Sequence, residues 1–409
     1  MRPTLPPALD DKLIAPAFYQ DPYPVYDELL ATTRLAWSEA LAGWVMPRYE
    51  DVQTTLLDTA HFSSRGRVTA VLDRLDLDLR QHFAPFENHF SSGLINADPP
   101  DHARLRALVT KAFAPKASEA LRPRIQQLVD GLLDAAQSRG EFDVIWDFAY
   151  PLPAILIAEI LGVPPETRDD FRRWSDSVLS FQGAGVVSPE LLDKVQTDLV
   201  AMREFLAGLL ADRRAHPRDD LLTHLVKSEI EGDRLTPAEL LTTSVLLLIA
   251  GHETTTNTIA NGLYTLLRHP EVLARLRADP ALLPTAVEEV LRYESPLQRN
   301  PRRMSMDYDY LGAPLRQGDY VLQLFGSANR DPRVFPDPHR FDLTRQPNRH
   351  LSFGFGIHFC VGAPLARLEA PIAIGTVLRR FPNLRLSGAS FAWRVHGLIR
   401  GLDRLPVAF

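Results

Sequence analysis

The chain has 409 residues, of which 45% are hydrophobic, 9% aromatic and 23% charged, the make-up of a globular protein with a large core and not of a disordered or fibrous one. A net charge of −6 argues against a nucleic-acid binder, which needs a concentrated basic surface. The single cysteine cannot form an internal disulfide, so nothing points to export. Length alone suggests two or three domains. Yet no Gly/Ser linker, repeat or low-complexity block divides the chain, and its 33 prolines are scattered throughout, so one helix-rich unit over residues 1–409 is expected.

Met1 to Pro24 carries prolines at 3, 6, 7, 16, 22 and 24 and no continuous apolar core, unlike a secretory signal or an anchor. The most apolar run, Val245 to Ala250, is far below the roughly 18 residues of a membrane span. A soluble, cytoplasmic protein is therefore expected. Asp21-Pro22-Tyr23-Pro24 followed by Val25 to Leu30 reads as a turn and a short helix, Leu35 to Ser38 and Gly43 to Met46 as a small hairpin, and Glu50 to Leu57 as another helix. From Ser64 to Ala97 the pattern loosens, mixing charges with Val71, Leu75, Leu77, Phe83, Phe86 and Phe90. A long, partly apolar connection of this sort is often functional.

Asp98-Pro99-Pro100-Asp101-His102 caps a helix with His102 and Arg106 four residues apart on one face. Two such donors can clamp a carboxylate, although most pairs of this kind are solvated surface. Helices follow at Glu119 to Ser138, Phe148 to Leu161, Glu166 to Phe181, Pro189 to Arg214 and Leu221 to Ile230, separated by proline or glycine turns. The gap Phe181 to Val187 is glycine-rich and apolar.

The longest helical signal opens at Thr236-Pro237-Ala238-Glu239, a capping box with proline at the first helical position. It runs to about Arg268, roughly 48 Å. Inside it, Gly251 in mid-helix costs on the order of 1 kcal/mol against alanine, and the acid Glu253 in so apolar a stretch is also expensive. Local rules broken together mark a functional site, with a buried polar cluster between helices as the plain alternative. Ala286 to Arg292 is a helix with Glu289 and Arg292 on one face. Phe353-Gly354-Phe355-Gly356-Ile357-His358-Phe359-Cys360-Val361-Gly362 is a glycine-punctuated loop leading into a helix at Ala363 to Arg380. A lone cysteine is usually a small buried hydrophobe, but near a helix N-terminus unpaired amides and the dipole favour a thiolate. Pro371 removes the bond to the carbonyl of Arg367 and should kink that last helix.

These stretches, in this order, resemble the cytochrome P-450 superfamily. The cysteine loop is similar to its haem-binding signature F-G-x-G-x-H-x-C-x-G, and Ala250-Gly251-His252-Glu253-Thr254 to its (A/G)-G-x-(D/E)-T. His102 and Arg106 are similar to its H-x-x-x-R, and Glu289 and Arg292 to its E-x-x-R. The resemblance implies a mainly α triangular prism with a small β region and haem b between the long helix and the helix after Cys360. It implies Cys360 as the thiolate iron ligand, pushing electron density to favour O–O cleavage, within a cofactor site of Phe353, Gly354, His358, Gly362, Ala250 and Gly251. His102, Arg106 and Arg302 would be propionate partners, Pro296 to Asn300 a strand passing beside the haem edge, and Glu289, Arg292 and Arg340 a structural triad. The reaction implied is insertion of one atom of O2, with Glu253 and Thr254 delivering protons and holding the distal oxygen. Val245, Leu246, Ile249, Ala250, Leu297, Leu398 and Ile399 would line an apolar pocket suited to a terpenoid, carotenoid end group, fatty acid or polyketide. Ser64 to Ala97 would roof that pocket, and Phe181 to Val187 would hinge the two helices that open for substrate.

The chain has no dinucleotide glycine fingerprint, so electrons would come from a separate ferredoxin or flavodoxin with its reductase. It would dock on the cysteine side near Arg104, Lys111, Lys116 and Arg349. A peroxide-driven peroxygenase of the same fold and a non-enzymatic haem sensor or electron carrier remain as alternatives. The pair Glu253-Thr254 speaks against both.

Overall fold

The computed structural model describes residues 2–183, 187–230, 235–388 and 390–409. Residues 184–186 of the expected Phe181 to Val187 hinge, and the side chain of Val71, lie outside the described residues. α1 (Tyr23–Thr32) carries Pro24 in its first turn, where a missing N–H costs nothing. β1 (Ala36–Ser38) and β2 (Gly43–Met46) form the expected antiparallel hairpin, Ala36 opposite Val45 and Ser38 opposite Gly43. α2 (Tyr49–Leu57) follows.

β3 (Phe62–Ser63), β5 (Asn300–Met304) and β8 (Tyr320–Gln323) extend the hairpin into a five-stranded sheet in the order β1-β2-β8-β5-β3. β10 (Pro406–Ala408) joins β4 (Glu141–Asp143) to β9 (Arg385–Leu386), and β6 (Tyr308–Tyr310) pairs with β7 (Ala313–Leu315). The strand expected over Pro296 to Asn300 starts later, at Asn300, and sets Arg302 opposite Val321. Its expected stretch is held instead by a single bridge, Leu297 to Ile399.

Ser64 to Ala97 forms short pieces, among them α3 (Ala84–Ser91) and 3₁₀ turns at Thr69–Arg74 and Leu94–Asn96. Buried Phe86 and Phe90 anchor it, their rings 4.9 and 6.4 Å from that of Phe181. α4 (Asp101–Thr110) starts without a side-chain cap. Asp98 does not cap it as expected, but accepts from the backbone N–H of Ser64 at 2.9 Å and from the Ser63 hydroxyl.

α5 (Arg122–Gln137), α6 (Pro151–Leu161), α7 (Arg168–Gly183), α8 (Pro189–Ala215) and α9 (Leu221–Ile230) match the expected helices to within a few residues. A π-helical turn, Val144–Ala149, precedes α6. Among the described residues one 18-residue window, Val144–Leu161, is apolar enough by length and composition to cross a membrane, with a mean hydropathy of 1.6, but 67% of it is buried inside the protein.

The expected long helix is two helices. α10 (Pro237–Ala250) begins with the capping box, Thr236 and Glu239 satisfying each other's backbone N–H, and α11 (Glu253–Arg268) follows a break at Gly251 and His252. The break has local causes. A Cβ on Gly251 would lie 2.8 Å from Ile157 Cγ1 and 2.8 Å from the Leu247 carbonyl, so only glycine lets α6 approach so closely. The His252 ring also bonds the Leu248 carbonyl through Nδ1 at 3.0 Å, a side-chain competitor that bends helices. α12 (Leu283–Tyr293) and α13 (Ala363–Arg380) pack on α11 and on each other. α13 continues through Pro371 to Arg380.

Candidate active site

The cysteine loop is shaped by glycines at positive φ, +72° at Gly354 and +69° at Gly356. The Gly354 N–H donates to Leu351 O at 2.8 Å, and the Cys360 N–H to Phe353 O at 2.8 Å. A Cβ on Gly356 would sit 2.9 Å from the Leu56 carbonyl, so the loop leans directly on α2. Cys360 lies two residues before Gly362, the N-cap of α13. It is accessible, yet ringed by enough protein that burial pushes its thiol up. The Gly362 and Ala363 amides with Arg106 and Arg367 pull the other way, favouring the anion.

Beside this loop, α4, β5 and the chain after β3 bring together donors without matching acids. His102 and His358 rings lie 4.3 Å apart, and His102 Nε2 is buried with no partner among the described residues. Arg302 is 3% exposed and, among the described residues, donates only through Nη1, at 3.4 Å to Asn300 Oδ1 and 3.3 Å to Pro301 O. Burial, then its neighbour Arg67, pushes Arg302 down to about 9. Burial holds Arg67 at about 10 and His358 at about 2. Arg106 is half-buried and held below its usual range by burial, with Cys360 opposing. Asp98 is the acid felt by His102, Arg67 and Arg302, and its oxygens already accept from Ser63 and Ser64. An excess of buried cations with an orphaned donor fits a ligand that brings its own carboxylates, as a porphyrin with two propionates does.

The break between α10 and α11 supplies the acid and the alcohol. Ala250 is exposed and Thr254 half-buried, with the Thr254 hydroxyl donating to Ala250 O at 3.3 Å. Glu253 is 4% exposed. Its Oε1 accepts from Arg394 Nη2 at 2.5 Å and from Asn257 Nδ2 at 3.1 Å, and Arg394 also reaches Asn257 Oδ1 at 2.7 Å. Burial pushes the Glu253 carboxyl up, but Arg394, His252 and Asn257 together hold it below its usual range. Sequence reasoning missed Arg394 and Asn257. Asn257 stands four residues after Glu253, a spacing that could have found it, whereas Arg394 lies 141 residues away and carries no local signal.

Among the expected pocket residues, the structure brings Leu297, Leu398 and Ile399 together through the Leu297 to Ile399 bridge and a 2.7 Å bond from the Gln298 N–H to Leu398 O. Leu246 is half-buried on α10, and Val245 and Ile249 are buried.

The triad differs from expectation in its third member. Glu289 and Arg292, both fully buried, make a bidentate pair at 2.7 and 2.8 Å. Arg345 completes it, with Nε 3.2 Å from Glu289 Oε1 and a side chain 9% exposed. Arg340 gives only its carbonyl, to Arg292 at 3.2 Å, while its side chain is 67% exposed. The carbonyls of Pro336, Asp337 and Arg340 accept from the Arg345 guanidinium at 2.7, 3.1 and 3.0 Å, so the turn that turns Arg340 outward locks Arg345 inward. Arg104 is not a free surface cation either: its guanidinium pairs with Glu239 in the first turn of α10 at 2.5 Å. Lys111, Lys116 and Arg349 are exposed.

A mainly α fold, a glycine-shaped cysteine loop and an acid and alcohol at a helix break define a haem-thiolate oxygenase. The comparisons agree. The cytochrome P450 family model matches residues 191–387. Over 398 residues the chain is 44% identical to "Cytochrome P450 107B1" of Saccharopolyspora erythraea, covering 96% of each. It is 41% identical to the "Biotin biosynthesis cytochrome P450" of Bacillus subtilis, covering 96% of this chain and 97% of that one. The solved structure of P450BioI with a hexadec-9Z-enoic acid-ligated acyl carrier protein superposes with a TM-score of 0.89 at 40% identity, covering 96% of this chain and 99% of that one. The chain belongs to the cytochrome P450 family. It is a monooxygenase whose cofactor is haem b, bound in this family through a cysteine thiolate, and Cys360 is its one cysteine.

Proposed function

We propose that this protein, acting as one haem-thiolate unit over residues 1–409, hydroxylates or epoxidises a mostly apolar small molecule in the cytoplasm, with electrons from a separate ferredoxin or flavodoxin and its reductase. The observation that carries this reading is the cradle of buried, acid-poor donors beside the only cysteine, His102 Nε2 foremost. Cys360 holds the iron. His102, Arg106 and Arg302 hold the propionates, and Phe353, Gly354, His358 and Gly362 shape the loop. When bound, the haem supplies the iron centre at which one atom of O2 enters substrate and the other leaves as water, using two electrons and two protons.

Ala250 is exposed at the helix break, while Gly251 lets the break pack against Ile157. Thr254, by letting go of Ala250 O, offers a hydroxyl that both donates and accepts. Glu253 relays protons if its carboxylate leaves Arg394 and turns toward Thr254. Val245, Leu246, Ile249, Leu297, Leu398 and Ile399 present an apolar wall, which supports a terpenoid, carotenoid, fatty-acid or polyketide substrate. A relative 38% identical, covering 90% of this chain, carries the name "Polyketide biosynthesis cytochrome P450 PksS", which supports the polyketide member of that range. The exposed Lys111, Lys116 and Arg349 suit an acidic electron donor.

The test is substrate-dependent NAD(P)H consumption with surrogate redox proteins, beside the carbon monoxide spectrum of the reduced protein. A Soret band in the thiolate position with product formed from O2 supports the reading. A histidine-type band, product from peroxide alone, or no product at all refutes it.

A further inference from the structure

Three helices meet over the first half of α10 around a guanidinium that has no acid. Arg203 of α8 donates through Nη1 to His89 Nδ1 of α3 at 2.6 Å and to Thr242 Oγ1 of α10 at 3.3 Å. His89 and Thr242 are 4% and 3% exposed. Among the described residues Arg203 makes no ion pair, its Nε and Nη2 donate to nothing, and burial alone holds it below the usual arginine range. Burial, with Arg203 alongside, pushes His89 down to about 3, so at neutral pH the ring brings no charge of its own. Holding a half-buried cation against two neutral acceptors is costly. α3 is already tied to α8 by Gln196, whose Oε1 accepts from the Phe86 N–H at 3.4 Å.

The cluster's position gives it a use. Thr242, Leu246 and Ile249 follow one another at i, i+4 and i+7 on one face of α10. From Thr242 to Ala250 the helix rises about 12 Å, the span of roughly ten extended single bonds. Beside His89 stands Phe90, its ring 4.9 Å away, and Phe86 links Phe90 to Phe181 of α7 at 4.7 and 4.9 Å. The guanidinium therefore sits about 12 Å of helix before the end of α10, and the acid and alcohol of α11 stand just beyond the break.

We propose that Arg203, supported by His89 and Thr242, is a carboxylate subsite that fixes the acid end of a long-chain substrate about 12 Å from the atom to be oxidised. The inference rests on the monooxygenase reading and names a substrate class within it: an amphiphilic carboxylic acid, free at its acid end. Such a carboxylate takes paired N–H bonds from the guanidinium and replaces neutral acceptors with a charged one. An acyl chain held as a thioester has no carboxylate and gains nothing here.

The test titrates the holoprotein with dodecanoate, its methyl ester and the matching primary alcohol, reading affinity from the Soret shift and by calorimetry. Dodecanoate should bind at least tenfold more tightly than the ester, Arg203→Gln should bring that ratio close to one, and Arg203→Lys should keep most of it. Equal affinities for acid and ester in the parent, or an Arg203→Gln that weakens both alike, overturn the subsite. Should Arg203→Gln fail to fold, Thr242→Asp places an internal carboxylate beside the same guanidinium and must abolish the acid's advantage; an undiminished ratio overturns the proposal. Failure of the underlying reading looks different, as the thiolate-type carbon monoxide band and substrate-dependent NAD(P)H consumption would then both be missing.

Discussion

Arg394 Nη2 lies 2.5 Å from Glu253 Oε1, so the acid of the helix break is clamped by a residue from the C-terminal part of the chain. With Arg394 in place the Glu253 carboxyl is held below its usual 4.5. A group depressed on folding contributes stability that is present above 4.5 and lost as pH falls through the folded value. Arg394→Ala is expected to reverse the sign, because burial, the largest influence on Glu253, is then opposed by His252 and Asn257 alone and raises the carboxyl. The thermal midpoint of the variant should fall as pH rises from 5 to 8, where that of the parent does not fall on this account, and adding Glu253→Gln should remove the slope. Matching pH profiles for parent and Arg394→Ala would show that the clamp does not set the charge of Glu253.

The buried triad gives a second contrast. Arg345→Ala leaves Glu289, fully buried, short of one of its two guanidinium partners, and breaking a buried pair costs on the order of 3 kcal/mol. Arg340→Ala removes an exposed side chain and keeps the carbonyl that Arg292 and Arg345 use. Denaturant midpoints and haem retention should therefore fall for Arg345→Ala and stay at the parent's value for Arg340→Ala. Equal losses would return Arg340 to the triad.

These contrasts mark what could be read from the chain. The capping box of Thr236 and Glu239, the hairpin over Ala36 to Met46 and the glycine-shaped cysteine loop are local, and each was legible because its partners are close in sequence. The break at Gly251 was half legible: the misplaced glycine and acid announced a site, but the contact with Ile157 that requires glycine comes from another helix. Arg394 and Arg345 were not legible. They reach their partners across 141 and 56 residues, and a lone arginine carries no spacing signal. The choice between Arg340 and Arg345 turns on which way a tight turn points its side chains, which only the folded turn decides.

Two glycines of the cysteine loop should respond differently to alanine. Gly356 stands at φ +69° with a Cβ position 2.9 Å from Leu56 O, so Gly356→Ala meets both the left-handed penalty of about 1–2 kcal/mol and a backbone clash with α2. Gly362 has φ −81° and only Cys360 Sγ near its Cβ position, at 3.9 Å. Gly356→Ala should lower haem occupancy and the thermal midpoint, while Gly362→Ala should fold as the parent does and alter chiefly the Soret band. Similar midpoints for the two variants would contradict the distinction.

The acid and the alcohol at the break can be separated by what each loses. Thr254 carries a single hydroxyl, bonded to Ala250 O at 3.3 Å, which can donate to a reacting oxygen and accept from water. Thr254→Ala should leave haem binding, substrate affinity and oxygen consumption near the parent's values, yet raise the peroxide released per NAD(P)H, so that coupling falls. Glu253 has a different task, since its carboxylate is ionised, buried and paired, and must move to deliver a proton. Glu253→Gln keeps the shape and its bond from Arg394 but cannot relay a proton, so turnover itself should slow and the solvent isotope effect should rise. The two variants thus differ in kind: one wastes electrons at near-normal speed, the other spends them slowly. A haem sensor or a peroxide-driven enzyme has no reason to show either phenotype. If both variants form product from NAD(P)H and O2 at the parent's rate and coupling, the proton-handling roles proposed for Glu253 and Thr254 are wrong.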